Sequence, residues 1–190
     1  MVVGRRNVVR VMSATDAELL AGRLLADELP RRWSHTQGVA ARARGLAGIL
    51  GMDAELIVVA AYLHDIGYSS AVCSADFHPL DGARYLRDEL DAAPVLCQLV
   101  AHHSGALVEA EERGIVDLAR EFAVPDRSLL DALTYCDLTS AVDGVPVGVE
   151  ERLNEILSRY PREHVVHRSV QRSSPALRTA VLNVQHRLAA

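Results

Sequence analysis

The sequence predicts an all-α fold, a helical bundle, on the strength of three observations. Apolar residues recur at helical spacing along almost the whole chain of 190 residues. Alternating apolar and polar stretches bounded by turn signals, which would indicate strands, are essentially absent. The chain is 49% hydrophobic, which is enough to bury the core of one domain of ordinary size. We therefore expect one compact helical unit.

Capping residues, glycines and prolines predict the first helix boundaries. Thr15 and Glu18 form a capping box that predicts the start of a first helix, which Pro30 would end. A second helix is expected over about 34–50, and Gly51 would end it. These two helices would precede the most apolar segment of the chain.

The middle of the chain predicts three further helices. Asp53 is expected to cap a helix that is apolar on all sides and reaches Gly67, so this helix should lie at the centre of the core. Pro79 and Pro94 each suit the first position of a helix. A looser, charged stretch over about 106–124 follows.

The last third predicts one more core helix and an outer layer. Asp126 or Ser128 would open the core helix, which would stop at the turn of Asp143 and Gly144. Amphipathic helices are expected to pack around the outside over about 149–160, 164–171 and 175–188. We therefore divide the chain into a candidate disordered segment (1–14), the main domain (15–145) and C-terminal helices packed on the same domain (146–190).

Charge and composition limit the class of partner and the compartment. The formal net charge is −5, and the basic residues, all arginine, form no block of like charge, which argues against nucleic acid or a membrane surface as partner. The three cysteines are far apart and form no CxxC pair, which is typical of reduced thiols. No apolar run predicts a signal peptide or a membrane helix. We expect a cytoplasmic protein, and a homo-oligomer remains open.

Histidines and carboxylates occur where a solvated surface would not need them. His64 and Asp65 end the most apolar helix, where burying such groups unpaired costs several kcal/mol. In isolation this pair would more often be hydrogen-bonded within a core than bound to a metal. However, His35 lies in the first turn of a predicted helix, and Asp137 lies mid-helix among apolar residues. Imidazoles with two carboxylates suit a divalent ion such as Mn, Fe, Zn, Ni or Co.

The segments around these residues resemble a known family. They read R-W-S-H-T-Q-G-V-A around His35, L-H-D-I-G around His64 and Asp65, and Y-C-D-L-T around Asp137. In this order, over about 30–142, the chain resembles the HD superfamily of metal-dependent phosphohydrolases. The resemblance implies an all-α HD-domain helical bundle with additional C-terminal helices. It also implies that these four residues hold one metal, with His64 and Asp65 as the catalytic residues.

Two further segments, F-H-P-L-D-G-A-R-Y-L and A-H-H-S, resemble the HD members that carry two metals. By this resemblance, His78 and one of His102 and His103 would hold a second ion, with Asp65 as a bridge. Spacing does not choose between the two adjacent histidines, because neighbours on a helix point about 100° apart. The alternatives are that His78 caps the helix before Pro79 and that one of the paired histidines stays outside the site, so one ion or two remain open.

The resemblance implies that a metal-activated hydroxide attacks a phosphoester or phosphoanhydride of a nucleotide or other small phosphorylated metabolite. Candidate substrate-binding residues are Arg32 and Arg84, because a guanidinium can offer a planar pair of donors to phosphate. Each arginine can equally be a solvated charge on a helix face. Trp33 could stack on a base or pack against the start of its helix.

Two departures from the family limit the choice of substrate. Tyr68 follows H-D-I-G where cyclic-dinucleotide members carry lysine, and no G-Y-P follows His103, which argues against cyclic dinucleotides. Two other activities remain open, an HD-fold mixed-valent di-iron oxygenase and a non-catalytic HD regulatory or binding module. The histidines outside the matched segments, His164, His167 and His186, are expected at the surface.

Overall fold

The computed structural model describes residues 12–190, and this part of the chain is a bundle of α-helices. No strand occurs among these residues, which contain one isolated bridge between Ser140 and Pro146. The prediction of an all-α fold is therefore confirmed. The predicted disordered segment, 1–14, lies outside the described residues except for its last three, among which Ser13 caps the first helix.

The helices follow one another with short connections. They are α1 (Ala14–Leu25), α2 (Pro30–Arg44), α3 (Ala47–Leu50), α4 (Ala54–Leu63), α5 (His78–Asp88), α6 (Pro94–His102), α7 (Ala106–Glu112), α8 (Leu118–Glu121), α9 (Arg127–Leu138), α10 (Val149–Arg159) and α11 (Val165–Ala189). Short 3-10 turns occur at Gly51–Asp53, Ile66–Tyr68 and His103–Gly105.

Helix α4 lies at the centre of the core, as its all-round apolar sequence predicts. Every residue from Ile57 to Leu63 is at most 6% exposed. Helices α1, α2, α6 and α9 pack around it. The segment Ala47–Tyr68 is long and apolar enough by composition to cross a membrane, but half of its most apolar window is buried in the fold. This burial is typical of the core helix of a soluble protein.

The cap of α1 lies two residues before the predicted one. The hydroxyl of Ser13 accepts a hydrogen bond from the backbone N–H of Asp16 at 3.1 Å, and the Asp16 carboxylate accepts one from the Ser13 N–H at 3.4 Å. The expected capping box of Thr15 and Glu18 is therefore wrong, because both residues already lie inside the helix. Two polar pairs with the same spacing occur here, and the sequence does not show which one the backbone uses.

Helix α2 begins at Pro30 instead of 34, so this proline opens the second helix. Its fixed φ and missing N–H suit the first turn of a helix, where no intrahelical donor is needed. The helix expected over 34–50 also breaks at Gly45, and Ala47–Leu50 forms the separate α3. As a result His35 lies in the second turn of α2.

The two outer helices expected over 164–171 and 175–188 are one helix, α11, with Pro175 inside it. Proline removes one backbone hydrogen bond, and the nearby Ser174 hydroxyl donates to the Val170 carbonyl at 2.6 Å. A buried face continues across the proline and holds the helix together. The residues of this face are Ser169, Ser173, Ser174, Leu177, Ala180, Val181 and Val184.

Helices α10 and α11 close one side of the bundle. Helix α11 packs against α7 and α9, and α10 packs against α11 and α9. The buried histidines and aspartates of the interior lie next to these two helices.

Candidate metal centre

Histidine and aspartate side chains from five helices meet in the interior. These residues are His35 in α2, His64 and Asp65 at the end of α4, His78 at the start of α5, His103 directly after α6, and Asp137 in the last turn of α9. Five of the six are buried, and the His78 side chain is 15% exposed. Their potential ligand atoms form two groups, each within 4.8 Å, namely His35 with His64 and Asp137, and Asp65 with His78 and His103.

The backbone determines the tautomer of three of these histidines. Their Nδ1 atoms lie close to carbonyl oxygens, at 3.0 Å for His35 and Ala141, 2.7 Å for His64 and Ala61, and 2.7 Å for His103 and Val100. A carbonyl can only accept, so Nδ1 carries the proton and donates it. Each Nε2 atom then carries a lone pair that can accept a hydrogen bond or bind a metal ion in the interior. Metal-binding histidines are held in the same way by a partner on the other ring nitrogen.

The Nε2 atoms of His64 and His103 lack suitable hydrogen-bond partners. Nε2 of His64 is buried and makes no hydrogen bond among the described residues, although Oδ2 of Asp65 lies 3.3 Å away. An orphaned buried polar atom of this kind costs about 1–3 kcal/mol. Nε2 of His103 faces Nε2 of His78 at 3.2 Å. Burial lowers the pKa of His78 and of His103, which favours the neutral form that binds metals. These donor atoms therefore fit metal ions.

Asp65 lies between the two groups. Its Oδ2 is 3.3 Å from Nε2 of His64, and its Oδ1 is 3.4 Å from Nε2 of His78. Oδ1 is also 3.9 Å from Nε2 of His103. Nη1 of Arg32 donates to Oδ2 at 2.6 Å. Burial would raise the pKa of Asp65, but the nearby charge of Arg32 outweighs it and holds this pKa well below its usual range. An ionised carboxylate in this place can serve both groups.

Asp137 completes the first group. Its Oδ1 lies 3.0 Å from Nε2 of His35, and the Ser104 hydroxyl donates to its Oδ2. Burial would raise the pKa of Asp137, but the contact with His35 and the charge of Arg152 hold this pKa well below its usual range. The carboxylate is therefore ionised, as metal binding requires.

The glycine of the L-H-D-I-G segment allows a close approach of two backbones. A Cβ on Gly67 would lie 2.1 Å from the carbonyl oxygen of His78 and 2.8 Å from the amide nitrogen of Gly82. Any side chain here would force the start of α5 away from the end of α4. The glycine thus holds His78 close to His64 and Asp65.

A second pair of glycines positions His35. A Cβ on Gly38 of α2 would lie 2.2 Å from the carbonyl oxygen of Gly144. Gly144 has a φ of +84°, a conformation that favours glycine. The turn after α9 therefore lies directly on α2, which brings the Ala141 carbonyl to Nδ1 of His35.

A cavity of about 100 Å³ opens beside the clustered residues. Residues of α2, α5, α7 and α9 line its inner side, and α10 and α11 line its outer side. A groove of about 380 Å³ adjoins it, and Arg32, His35, Arg152 and Arg159 line both spaces. The cluster is therefore accessible to a small anionic molecule.

Residues 32–133 match the family model of the HD domain. This match covers more than half of the chain. The chain belongs to the HD domain family. No curated protein and no solved structure matches it significantly. HD domain proteins are mostly hydrolases. The matched region contains five of the six clustered residues, and Asp137 lies four positions beyond its end.

Three residues that the sequence suggested for the site of this HD domain lie elsewhere. The imidazole of His102 points away, and its Nε2 lies 2.7 Å from the carbonyl oxygen of Phe122. Arg84 forms a two-point ion pair with Glu121 at 2.9 and 2.6 Å. Trp33 lines a surface depression against α1. Arg32 lines the cavity, whereas the positions of Trp33 and Arg84 do not support their expected role in substrate binding.

Other residues line the HD-domain cavity without having been expected there. Ser104 supports Asp137, while Arg152 and Arg159 come from α10, beyond the family match. Arg152 did carry a signal, because its spacing from Val149 and Ile156 places an arginine on the apolar stripe of α10. Ser104 carried none, because a serine after two histidines is an ordinary sequence.

Proposed function

We propose that this chain is a cytoplasmic HD-domain phosphohydrolase that uses two divalent ions to hydrolyse a phosphoester or phosphoanhydride of a nucleotide or another small phosphorylated metabolite. One observation carries the proposal. Three buried histidines donate from Nδ1 to backbone carbonyls and direct Nε2 toward two buried carboxylates. A hydrogen-bonded protein core would not leave Nε2 of His64 without a partner.

The residues that would hold the ions are the six clustered ones. His35, His64 and Asp137 suit one ion, His78 and His103 suit the second, and Asp65 lies between the two groups. Neutral imidazoles and carboxylates suit Mn, Fe, Zn, Ni or Co. A divalent ion bound here would lower the pKa of a water molecule to about 7 and polarise phosphate oxygens.

The side chains around the cluster would bind and orient the substrate. Arg32 lines the cavity, donates from Nη1 to Asp65, and carries further N–H groups that can meet a phosphate oxygen. The Ser104 hydroxyl keeps Asp137 in one orientation. Helices α10 and α11 line the outer side of the cavity, and a substrate that displaced water from it would strengthen the attraction between these charges and its own anionic groups.

The test combines metal analysis with a screen for phosphate release. Purified protein is reconstituted with Mn, Co, Ni, Fe or Zn, and its metal content is measured by elemental analysis. Mono- and dinucleotides with one to four phosphates are then offered as substrates. We expect about two ions per chain and metal-dependent phosphate release. His64→Ala and His78→Ala should each lower the metal content, while His186→Ala, on the exposed end of α11, should not.

The other outcomes separate the alternatives. Absence of metal after every reconstitution would overturn the proposed site. Two irons with oxygen uptake and no phosphate release would favour the di-iron oxygenase. Bound metal without either activity would favour a non-catalytic HD module.

A further inference from the structure

Arg152 of α10 is a buried arginine with unused donors. The residue is 7% exposed, although burying a guanidinium is costly unless its N–H groups are paired. Nη1 donates to Oε2 of Glu155 at 2.8 Å. Nε is buried and has no partner among the described residues. Nε and Nη2 form one edge of the guanidinium, and this edge makes no hydrogen bond in the described part of the chain.

Glu155 serves two arginines at once. Besides Arg152, it accepts from Arg159, whose Nε lies 2.8 Å from Oε1. One negative charge thus faces two positive charges, and both arginines line the cavity and the adjoining groove. The α10 side of the cavity therefore carries an excess positive charge.

Two other charged residues that line the cavity, Arg32 and Glu109, are already paired. Arg32 on the inner side is paired with Asp65 at 2.6 Å. Glu109, also on the inner side, is paired with Arg113 at 2.7 Å. Asp137 is the remaining carboxylate that lines the cavity, and the charge of Arg152 helps to hold its pKa low. A metal ion bound to Asp137 would leave Glu155 as the counter-charge of Arg152 and Arg159.

We propose that Arg152 binds a phosphate group of the substrate through its Nε and Nη2 edge, with Arg159 beside it. The C-terminal helices then complete the substrate site of the HD domain, although they lie outside the family match. A guanidinium edge fits two phosphate oxygens at once. The identity of the anion as phosphate rests on the proposed function. Leu29, Pro30 and Val142 line the adjoining groove, which can take an organic part of the same substrate.

Inorganic phosphate is the probe for this site. Its dissociation constant is measured by calorimetry on metal-loaded protein, for the unaltered chain and for Arg152→Gln and Arg152→Lys. Losing a charge-assisted pair of hydrogen bonds should weaken binding by about 10- to 100-fold in Arg152→Gln. Arg152→Lys should recover part of it, because the charge remains while the planar edge is lost. Arg178→Gln, which removes an exposed arginine from α11, is the control and should bind phosphate normally.

Glu155→Gln provides a test that does not depend on how Arg152→Gln folds. The Glu155 side chain is 37% exposed and competes with phosphate for both arginines, so its neutralisation should tighten phosphate binding. Glu151→Gln removes an exposed carboxylate from the same helix and should leave the dissociation constant unchanged. Metal content and Tm are measured for every variant, so that a loss of folding or of metal is recognised.

The results separate this inference from the proposed function. Three results would each overturn the role of Arg152. They are an unaltered phosphate affinity in a folded Arg152→Gln, an unchanged phosphate affinity in Glu155→Gln, and no phosphate binding by the unaltered chain. Hydrolysis with an unchanged KM in Arg152→Gln would also overturn it, while leaving the phosphohydrolase intact. Phosphate binding that depends on Arg152 in a chain that hydrolyses nothing would support the anion site and refute the hydrolase.

Discussion

At the scale of single residues, the ends of two helices orient two of the candidate ligands. His64 and His103 directly follow α4 and α6, and each donates from Nδ1 to the carbonyl three residues earlier. The last carbonyls of a helix have no intrahelical partner. Each histidine therefore donates a hydrogen bond to an otherwise unpaired helix carbonyl. The same hydrogen bond orients the ring so that Nε2 points toward the cluster. A histidine placed mid-helix would find its neighbouring carbonyls already occupied.

The adjacent histidines after α6 allow a matched test of this geometry. We expect His103→Ala to lose about one ion per chain, because His103 belongs to the second group. We expect His102→Ala to keep its metal but to lower the free energy of unfolding by about 1–3 kcal/mol, because the Phe122 carbonyl loses its donor. Elemental analysis and urea unfolding measure the two effects. Loss of metal in His102→Ala would contradict this assignment.

At the scale of helices, close backbone contacts determine where the site residues lie. Gly67 lets the end of α4 touch the start of α5, and Gly38 lets α2 touch the turn that contains Gly144. Both contacts join elements that carry clustered residues. The glycine of H-D-I-G is thus explained by backbone packing, since no side chain fits between the two helices.

Gly67→Ala tests this role. The added Cβ would meet three backbone atoms of α5, which cannot rotate away as a side chain can. We expect the free energy of unfolding to fall by about 1–3 kcal/mol or more, together with weaker binding of the ion near His78. Gly48→Ala is the control, because nothing lies within 4 Å of its added Cβ and alanine favours a helix. Equal stability and metal affinity in both variants would refute the packing argument.

At the scale of the whole molecule, the cluster exists only when five helices come together. Its residues come from α2, α4, α5, α6 and α9, so an unfolded chain cannot present them jointly. Ligands that bind only the folded state stabilise it by mass action. Metal binding should therefore be linked to folding of the entire chain.

This linkage predicts a metal-dependent Tm. At a free metal concentration 100-fold above the dissociation constant, one bound ion adds about 2.7 kcal/mol. For a chain of this length that corresponds to a rise in Tm of about 5–10 °C. Thermal unfolding followed by circular dichroism should show this rise for the unaltered chain, reversal by a chelator, and a much smaller rise for His64→Ala. An equal rise in His64→Ala would indicate that metal binds elsewhere.

The sequence by itself determined the all-α fold and predicted four residues of the candidate cluster. Helical periodicity extends through the chain, and α4 is apolar on every side, so its central position could be inferred. His64 and Asp65 at the end of such a helix required polar partners. His35 and Asp137 were expected as these partners, and the structure brings all four residues together.

Only the tertiary structure decided whether His102 or His103 belongs to the cluster, because the two histidines are adjacent in sequence. The direction in which the chain turns after α6 places His103 in the cluster and His102 outside it. Ser104, with a φ of +46°, lies in this turn. The structure likewise joined the outer helices across Pro175 and placed Arg152 beside the cavity. Helical periodicity reports which face of a helix is buried. Periodicity does not report which part of the fold packs against the buried face. The buried face of α10 packs beside the candidate site.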